Sequence, residues 1–287
     1  MRTSNPVFSR RGFSRDAARA DAAVRHREGV AVGARLAEDH LTNPYAAGRL
    51  SLVKQAQAVP SAMTMDDVVV RTATALGTVA LTAVLSWLLL PVDDADVGRS
   101  YGIAAGAAVI AFVLSLLQAF RQAASAALIL GYAAFEGVFL GVVSSATSTY
   151  LAPGVVVQAV LGTFAVSAGV LFAYRMRWIR VTRRFAGFVA AAVTGFLLLM
   201  VVDLLFSTSG AGNGLGFDSG GLGVAFGAAG ILLGACFLAL DFKQVEDAIA
   251  YGAPREESWL AAFGLTATLV WIYLEALRVL TIPDSDD

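Results

Sequence analysis

Seven apolar runs, each about as long as a helix needs to cross a bilayer, decide most of what this chain can fold into. They are Val68 to Leu90, Tyr101 to Phe120, Ala126 to Thr149, Val155 to Tyr174, Phe185 to Phe206, Leu222 to Asp241 and Trp259 to Ile282. About 20 residues rising 1.5 Å each cover the ~30 Å of hydrocarbon in a membrane. The runs are continuously apolar and show no alternation, and the strands of a membrane barrel would be about half as long. With 57% hydrophobic and 15% charged residues, the expectation is an all-α, polytopic membrane protein of seven transmembrane helices.

This divides the chain into a polar, Arg-rich tail over residues 1–66, a helical domain over 67–282 and a short acidic tail over 283–287. The first tail is expected to be largely disordered and cytoplasmic. Within it, Arg15 to Asp39 is compatible with a charged helix or with an amphipathic one lying on the membrane surface. No cleavable signal peptide is apparent, because the tail lacks an apolar core segment. The loops alternate in charge. Arg121, the block Arg175, Arg177, Arg180, Arg183 and Arg184, and Lys243 with Arg255 fall on one side, while Asp93, Asp94, Asp96 and Asp218 fall on the other, with Arg99 the single base among them. Placing the basic loops inside puts the N-terminus in the cytoplasm and the C-terminus outside.

Several chemistries are excluded. Cys236 is the single cysteine, and both histidines, His26 and His40, lie in the N-terminal tail. The membrane therefore holds no histidine ligand set and no serine-histidine pair, and no cofactor is expected. The glycine-rich loop Ser209 to Gly221 lacks the following Lys-Ser/Thr of a phosphate cradle and reads as a flexible outer connection. Glycines four apart, at Gly102/Gly106, Gly137/Gly141, Gly223/Gly227 and Gly230/Gly234, predict close helix packing.

The informative residues are the charges inside the runs. A charged side chain at mid-bilayer costs at least ~2.5 kcal/mol and marks a functional site unless a partner accounts for it. Glu136 sits about ten residues, or ~15 Å, into the third run, with no basic residue within a turn. Asp241 closes the sixth run, with Glu246 and Asp247 expected in the loop beyond. Glu275 lies ~18 to 24 Å along the seventh, with Arg278 three residues on and on the same face. On straight helices the depths of Asp241 and Glu275 do not match. Asp203 and Arg71 stand close enough to their helix ends for interfacial placement or snorkelling. Desolvation penalises a carboxylate's charged form, so these acids are the groups in the membrane able to answer to pH, and their oxygens suit Ca²⁺.

Those residues also carry a resemblance. EGVFLG in the third run, LALDFKQVEDAI ending the sixth with Gly252 beyond it, and WIYLEALRVL in the seventh resemble the Bax inhibitor-1 (transmembrane Bax inhibitor motif) family in its bacterial branch, over about residues 66 to 282. The resemblance implies six helices around a central seventh. It also implies a pair of acids on the last two helices acting as a pH-sensitive latch on a calcium leak, here Asp241 and Glu275. Arg121 falls near a basic cluster that engages the helix-six acid in some relatives. Gln244, three residues after Asp241, belongs to the motif. The chain carries Glu where relatives usually carry Asp in the seventh helix, and a longer stretch separates its two acids.

The expected function is a pH-responsive cation pathway, with Ca²⁺ and protons as the partners besides the bilayer. Asp241 and Glu275 would form the gate, Glu136 a site on the path, and Arg121, Gln244 and Arg278 the latch partners, with transient calcium at Asp241 or Glu275. The alternative is a membrane interaction protein that modulates stress response or membrane-protein turnover. An intramembrane aspartyl protease would need YD and GxGD contexts that are absent, and no pair of interrupted helices points to a secondary transporter. The chain is thus expected not to be an enzyme, and to lie in the plasma or inner membrane.

Overall fold

A computed structural model describes residues 62–282 apart from 91, 93–96, 122, 152, 209–214 and 218. The two tails, including the Arg15 to Asp39 helix, and the acidic loop positions 93, 94, 96 and 218 lie outside the described residues.

Seven long helices account for nearly all of it: α1 (Met65–Leu89), α2 (Val97–Phe120), α3 (Ala126–Tyr150), α4 (Val155–Arg175), α5 (Arg183–Thr208), α6 (Gly220–Tyr251) and α7 (Ser258–Thr281). All seven are long and apolar enough to cross a membrane, and the protein is a multi-pass membrane protein. Local sequence signals set the helix ends. At the start of α1, Thr64 and Asp67 form a reciprocal capping box, each side chain accepting the other's backbone N–H at 3.2 Å. Thr182 accepts the N–H of Phe185 ahead of α5. Gly252, at φ 69°, closes α6 in the left-handed conformation that glycine adopts without a Cβ penalty, and Pro254 follows.

The sixth helix departs from the sequence reading. It does not stop at Asp241 but runs on to Tyr251, so Glu246 and Asp247 lie on the helix and not in a loop. Their charges are met locally. Lys243 donates to Asp247 at 2.7 Å and stands 3.7 Å from Glu246, and the Tyr174 hydroxyl donates to Glu246. Asp241 therefore stands in the interior of a 32-residue helix, buried, with ten residues beyond it.

The short α6–α7 connection is sewn to the start of α1. Met63 N–H donates to the Ala253 carbonyl at 2.8 Å and Arg255 meets Asp67 at 2.7 Å. Arg71 donates to the carbonyls of Arg255 and Glu256 and lies over the Trp259 ring, 5.2 Å from its centre. It satisfies the carbonyls of a turn on a neighbouring element. Asp203, near the end of α5, is buried and accepts the Leu215 N–H at 2.6 Å, tying down the described part of the α5–α6 connection.

The most buried helix is α7, which packs against α1, α3, α4 and α6. The last helix is thus central in the bundle, as expected, with four of the other six helices packed closely on it. The partner of α2 is mainly α3, and α5 leans mainly on α6, reaching α7 through Phe196 against Trp271 at 5.7 Å. Large apolar side chains such as Leu88, Phe112, Phe164 and Phe188 point outward, as helices facing lipid require.

The glycine pairs divide. A Cβ at Gly137 or Gly141 would run into the α1 backbone at Val79 or Ala83, and one at Gly230 or Gly234 would meet α7 side chains, whereas Gly102 and Gly106 have nothing within 4 Å. Close packing through glycine thus holds for the third and sixth helices but not for Gly102 and Gly106 of α2 among the described residues. Gly137→Ala and Gly141→Ala should each cost about 1 to 3 kcal/mol through overpacking. Gly102→Ala and Gly106→Ala should be neutral or stabilising by up to ~1 kcal/mol, since alanine favours helix. Thermal unfolding in detergent checks this, and equal shifts for both pairs would refute it.

Candidate functional site

The site is built on the antiparallel pair of α6 and α7. Small residues on α6 let the two backbones close up. A Cβ at Gly234 would stand 2.6 Å from Ile272, one at Gly230 2.7 Å from the Glu275 carboxyl, and one at Gly227 would strike Val279. As α6 residue numbers rise, the facing α7 numbers fall. The same register carries Asp241 to the level of Gly264 and Thr268.

There the Thr268 hydroxyl donates to Asp241 Oδ2 at 2.6 Å, with both residues buried. Gly264 makes room, because a Cβ on it would stand 3.4 Å from Asp241 Oδ1. The side chain opposing the helix-six acid is thus a threonine and not a carboxylate. Neither Arg121 nor Gln244 takes part. Both are exposed, and Arg121 is placed by its own N–H donating to the Gln118 carbonyl.

Glu275 belongs to a different layer. It stands 275 − 268 = 7 residues beyond Thr268, about 10 Å of helix rise. Its Oε2 is 3.3 Å from Arg278 Nη2, an ionic contact, and Gly230 leaves space for its carboxyl. Aromatic rings wall off the pair. The Arg278 guanidinium lies 5.0 Å above Phe226, which stacks between Phe196 and Phe217 at 4.3 Å each. Of the three latch partners, Arg278 alone meets its acid. The depth mismatch read from the sequence is real, and the structure does not bring Asp241 and Glu275 together.

Glu136 instead reaches the level of Asp241. On α3 it shares a stripe with Tyr132, edge-on to Phe263 of α7 at 5.0 Å, and Ser144, whose Oγ is 2.6 Å from the Tyr273 hydroxyl. These two contacts run parallel, with offsets of 263 − 132 = 131 and 273 − 144 = 129 residues. Glu136 therefore falls opposite Thr266, on the side of α7 away from Asp241. Among the described residues no hydrogen bond or ion pair reaches Glu136. Nearby, the Oγ1 atoms of Thr266 on α7 and Thr72 on the buried side of α1 are enclosed without a hydrogen-bond partner.

Sequence reasoning missed Thr72, Thr266, Thr268 and Gly264. Threonines in membrane helices commonly back-bond to the carbonyl one turn earlier, as Thr74, Thr78 and Thr163 do here, so residue type alone does not single out the three that do not. Among the described residues no three His, Cys, Asp or Glu side chains gather to hold a metal. A cavity of about 880 Å³ opens between α1 and α4 and one of about 160 Å³ beside Thr268. Leu76, Trp87 and Phe164 line the first, with Ser144, Thr163 and Tyr273 among them, and Phe237 and Trp271 line the second beside Thr268, so the walls of both are mainly apolar.

The family model described as Bax inhibitor 1 like matches residues 5–285. This chain belongs to that family. The match takes in the N-terminal segment that the motifs left out. No curated protein matches the chain. In this Bax inhibitor 1 like protein the three acids that face the central helix fall in two layers, Asp241 with Thr268 and Glu136 in one, Glu275 with Arg278 in the other.

Two double-mutant cycles read that layering. Thr268→Val and Asp241→Asn should couple by about 0.5 to 3 kcal/mol, because removing the hydroxyl strands a buried carboxylate. Asp241→Asn and Glu275→Gln should add within about 0.5 kcal/mol. Thermal unfolding of the singles and doubles gives both numbers, and strong coupling between the two acids would overturn the layer assignment.

Proposed function

We propose that this protein is a pH-responsive cation pathway, with Ca²⁺ the favoured ion, and that it works without enzymatic chemistry. The reading rests on the register of the bundle, which carries Asp241 and Glu136 to one level on opposite sides of the central helix, with the buried hydroxyl of Thr266, which has no hydrogen-bond partner among the described residues, on the Glu136 side. A buried hydroxyl with no protein partner is where a water or a hydrated cation finds hydrogen bonds. The Thr72 hydroxyl, about two turns closer to the α6–α7 connection, is a second such group toward the end of the bundle where the arginines gather. On the positive-inside assignment that end is cytoplasmic, the C-terminus is external and the membrane is the plasma or inner membrane.

In this mechanism the Thr268 hydroxyl holds Asp241 in place, and a proton on Asp241 weakens the bond, since a neutral carboxyl accepts less strongly than a carboxylate. Loosening the bond frees α6 to shift on α7 at the level where Glu136 offers oxygen to a passing cation. The Glu275–Arg278 pair, shielded by rings, is a packing element of the outer layer, and the gate moves from Asp241 and Glu275 to Asp241 and Thr268. A non-conducting interaction protein remains the second reading, favoured by the mainly apolar walls of both cavities.

The experiment is Ca²⁺ flux into liposomes holding the purified full chain, stepped from about pH 8 to about pH 5, across the range that burial opens to a carboxyl. Wild-type flux should change with pH. Asp241→Asn and Thr268→Val should flatten that response, Glu136→Gln should lower flux at every pH by about tenfold or more, equivalent to ~1.4 kcal/mol, and Glu275→Gln should keep the response. No flux above empty liposomes at any pH would sink the conducting reading in favour of the interaction protein.

A further inference from the structure

The connection from α4 to α5 reads RMRWIRVTRR from Arg175 to Arg184, five arginines with no acid among them. All five side chains are exposed, and no hydrogen bond or ion pair among the described residues reaches their guanidinium groups. The nearby acids of α6 are otherwise engaged, Glu246 with Tyr174 and Lys243, Asp247 with Lys243. Arg183 and Arg184 also open a helix, where the backbone dipole already disfavours positive charge. Charge that no described residue compensates calls for an anionic counterpart.

The backbone gives that charge a fixed stage. Ile179 and Val181 tuck into the apolar cluster of Met63, Val68, Leu238 and Val245, which leaves Arg180 between them facing out. Arg177 takes a left-handed conformation, φ 59°, the one non-glycine residue to do so among those described. That conformation costs about 1 to 3 kcal/mol and persists where the surroundings hold it. Here the turn folds Trp178 back onto Phe172, ring centres 5.8 Å apart and perpendicular, with the indole 71% exposed on the outer side of α4. A tryptophan so placed at a helix end sits at headgroup depth in a bilayer.

We propose that residues 175–184 form a binding surface for anionic phospholipid headgroups, with Trp178 setting the depth and Arg177, Arg180, Arg183 and Arg184 meeting lipid phosphates. Arginine suits this because its planar fork pairs two donors with two phosphate oxygens. Each basic residue near an anionic surface contributes about a fivefold gain in binding.

The test uses the full chain purified in neutral detergent and given equal amounts of phosphatidylglycerol and phosphatidylcholine, with bound lipids counted by native mass spectrometry. Wild type should retain phosphatidylglycerol preferentially. Arg177→Gln/Arg180→Gln/Arg183→Gln together should cut that preference by about a hundredfold, at about fivefold per arginine, while thermal unfolding stays within a few degrees of wild type. The same three positions as lysine should keep most of it. Arg180→Gln alone, with an expected loss of about fivefold, stands in should the triple variant not fold. An unchanged lipid preference in folded glutamine variants overturns the proposal. So does inorganic phosphate protecting against unfolding as well as phosphatidylglycerol does, which would assign the surface to free phosphate.

Discussion

The close approach of α6 to α7 is the contact on which the rest of the structure depends. Glycines at 227, 230 and 234 remove the side chains that would hold the two backbones apart, and in a membrane such packing replaces the hydrophobic drive that water supplies elsewhere. With the helices this close and antiparallel, their register is set by knobs of defined size, Val279, Glu275 and Ile272, each seated over a glycine. The position of Asp241 against Thr268 follows from that register over a further turn or two. Gly264 completes it by leaving room for the carboxylate.

The three intramembrane acids then occupy three environments. Asp241 has a hydroxyl donor, Glu275 a guanidinium behind a wall of aromatic rings, and Glu136 a stripe of α3 facing the central helix. A buried ion pair is weak evidence for stability and better evidence for specificity of packing, which fits the place of Glu275 beside the glycine row. The arrangement also explains why one central helix suffices. Because α7 carries Thr266 on one face and Thr268 on the other, a shift of that helix moves both polar sites together.

The end of the bundle that carries the arginines is held differently. Backbone bonding from Met63 to Ala253 and the reach of Arg71 over Trp259 lock the start of α1 to the α6–α7 connection, while Ile179 and Val181 anchor the α4–α5 connection to the same apolar cluster. That cluster is the core of this end. It lets exposed arginines stand on a rigid base.

What the sequence by itself determined is the set of helices, because the requirement to span a fixed thickness of hydrocarbon acts on each run separately and needs no partner to be read. The acids inside those runs were legible for the same reason, as was the local pairing of Glu275 with Arg278, a property of helical spacing. The partner of Asp241 was decided by the tertiary structure. It depends on whether residues 242–251 continue α6 or leave it as a loop, a difference of ~15 Å in where the next helix begins, and helical propensity over ten residues does not choose. It depends too on which threonines turn from their own backbone toward a neighbouring helix. Register between helices far apart in sequence is settled by packing, and a single turn of slip exchanges one partner for another.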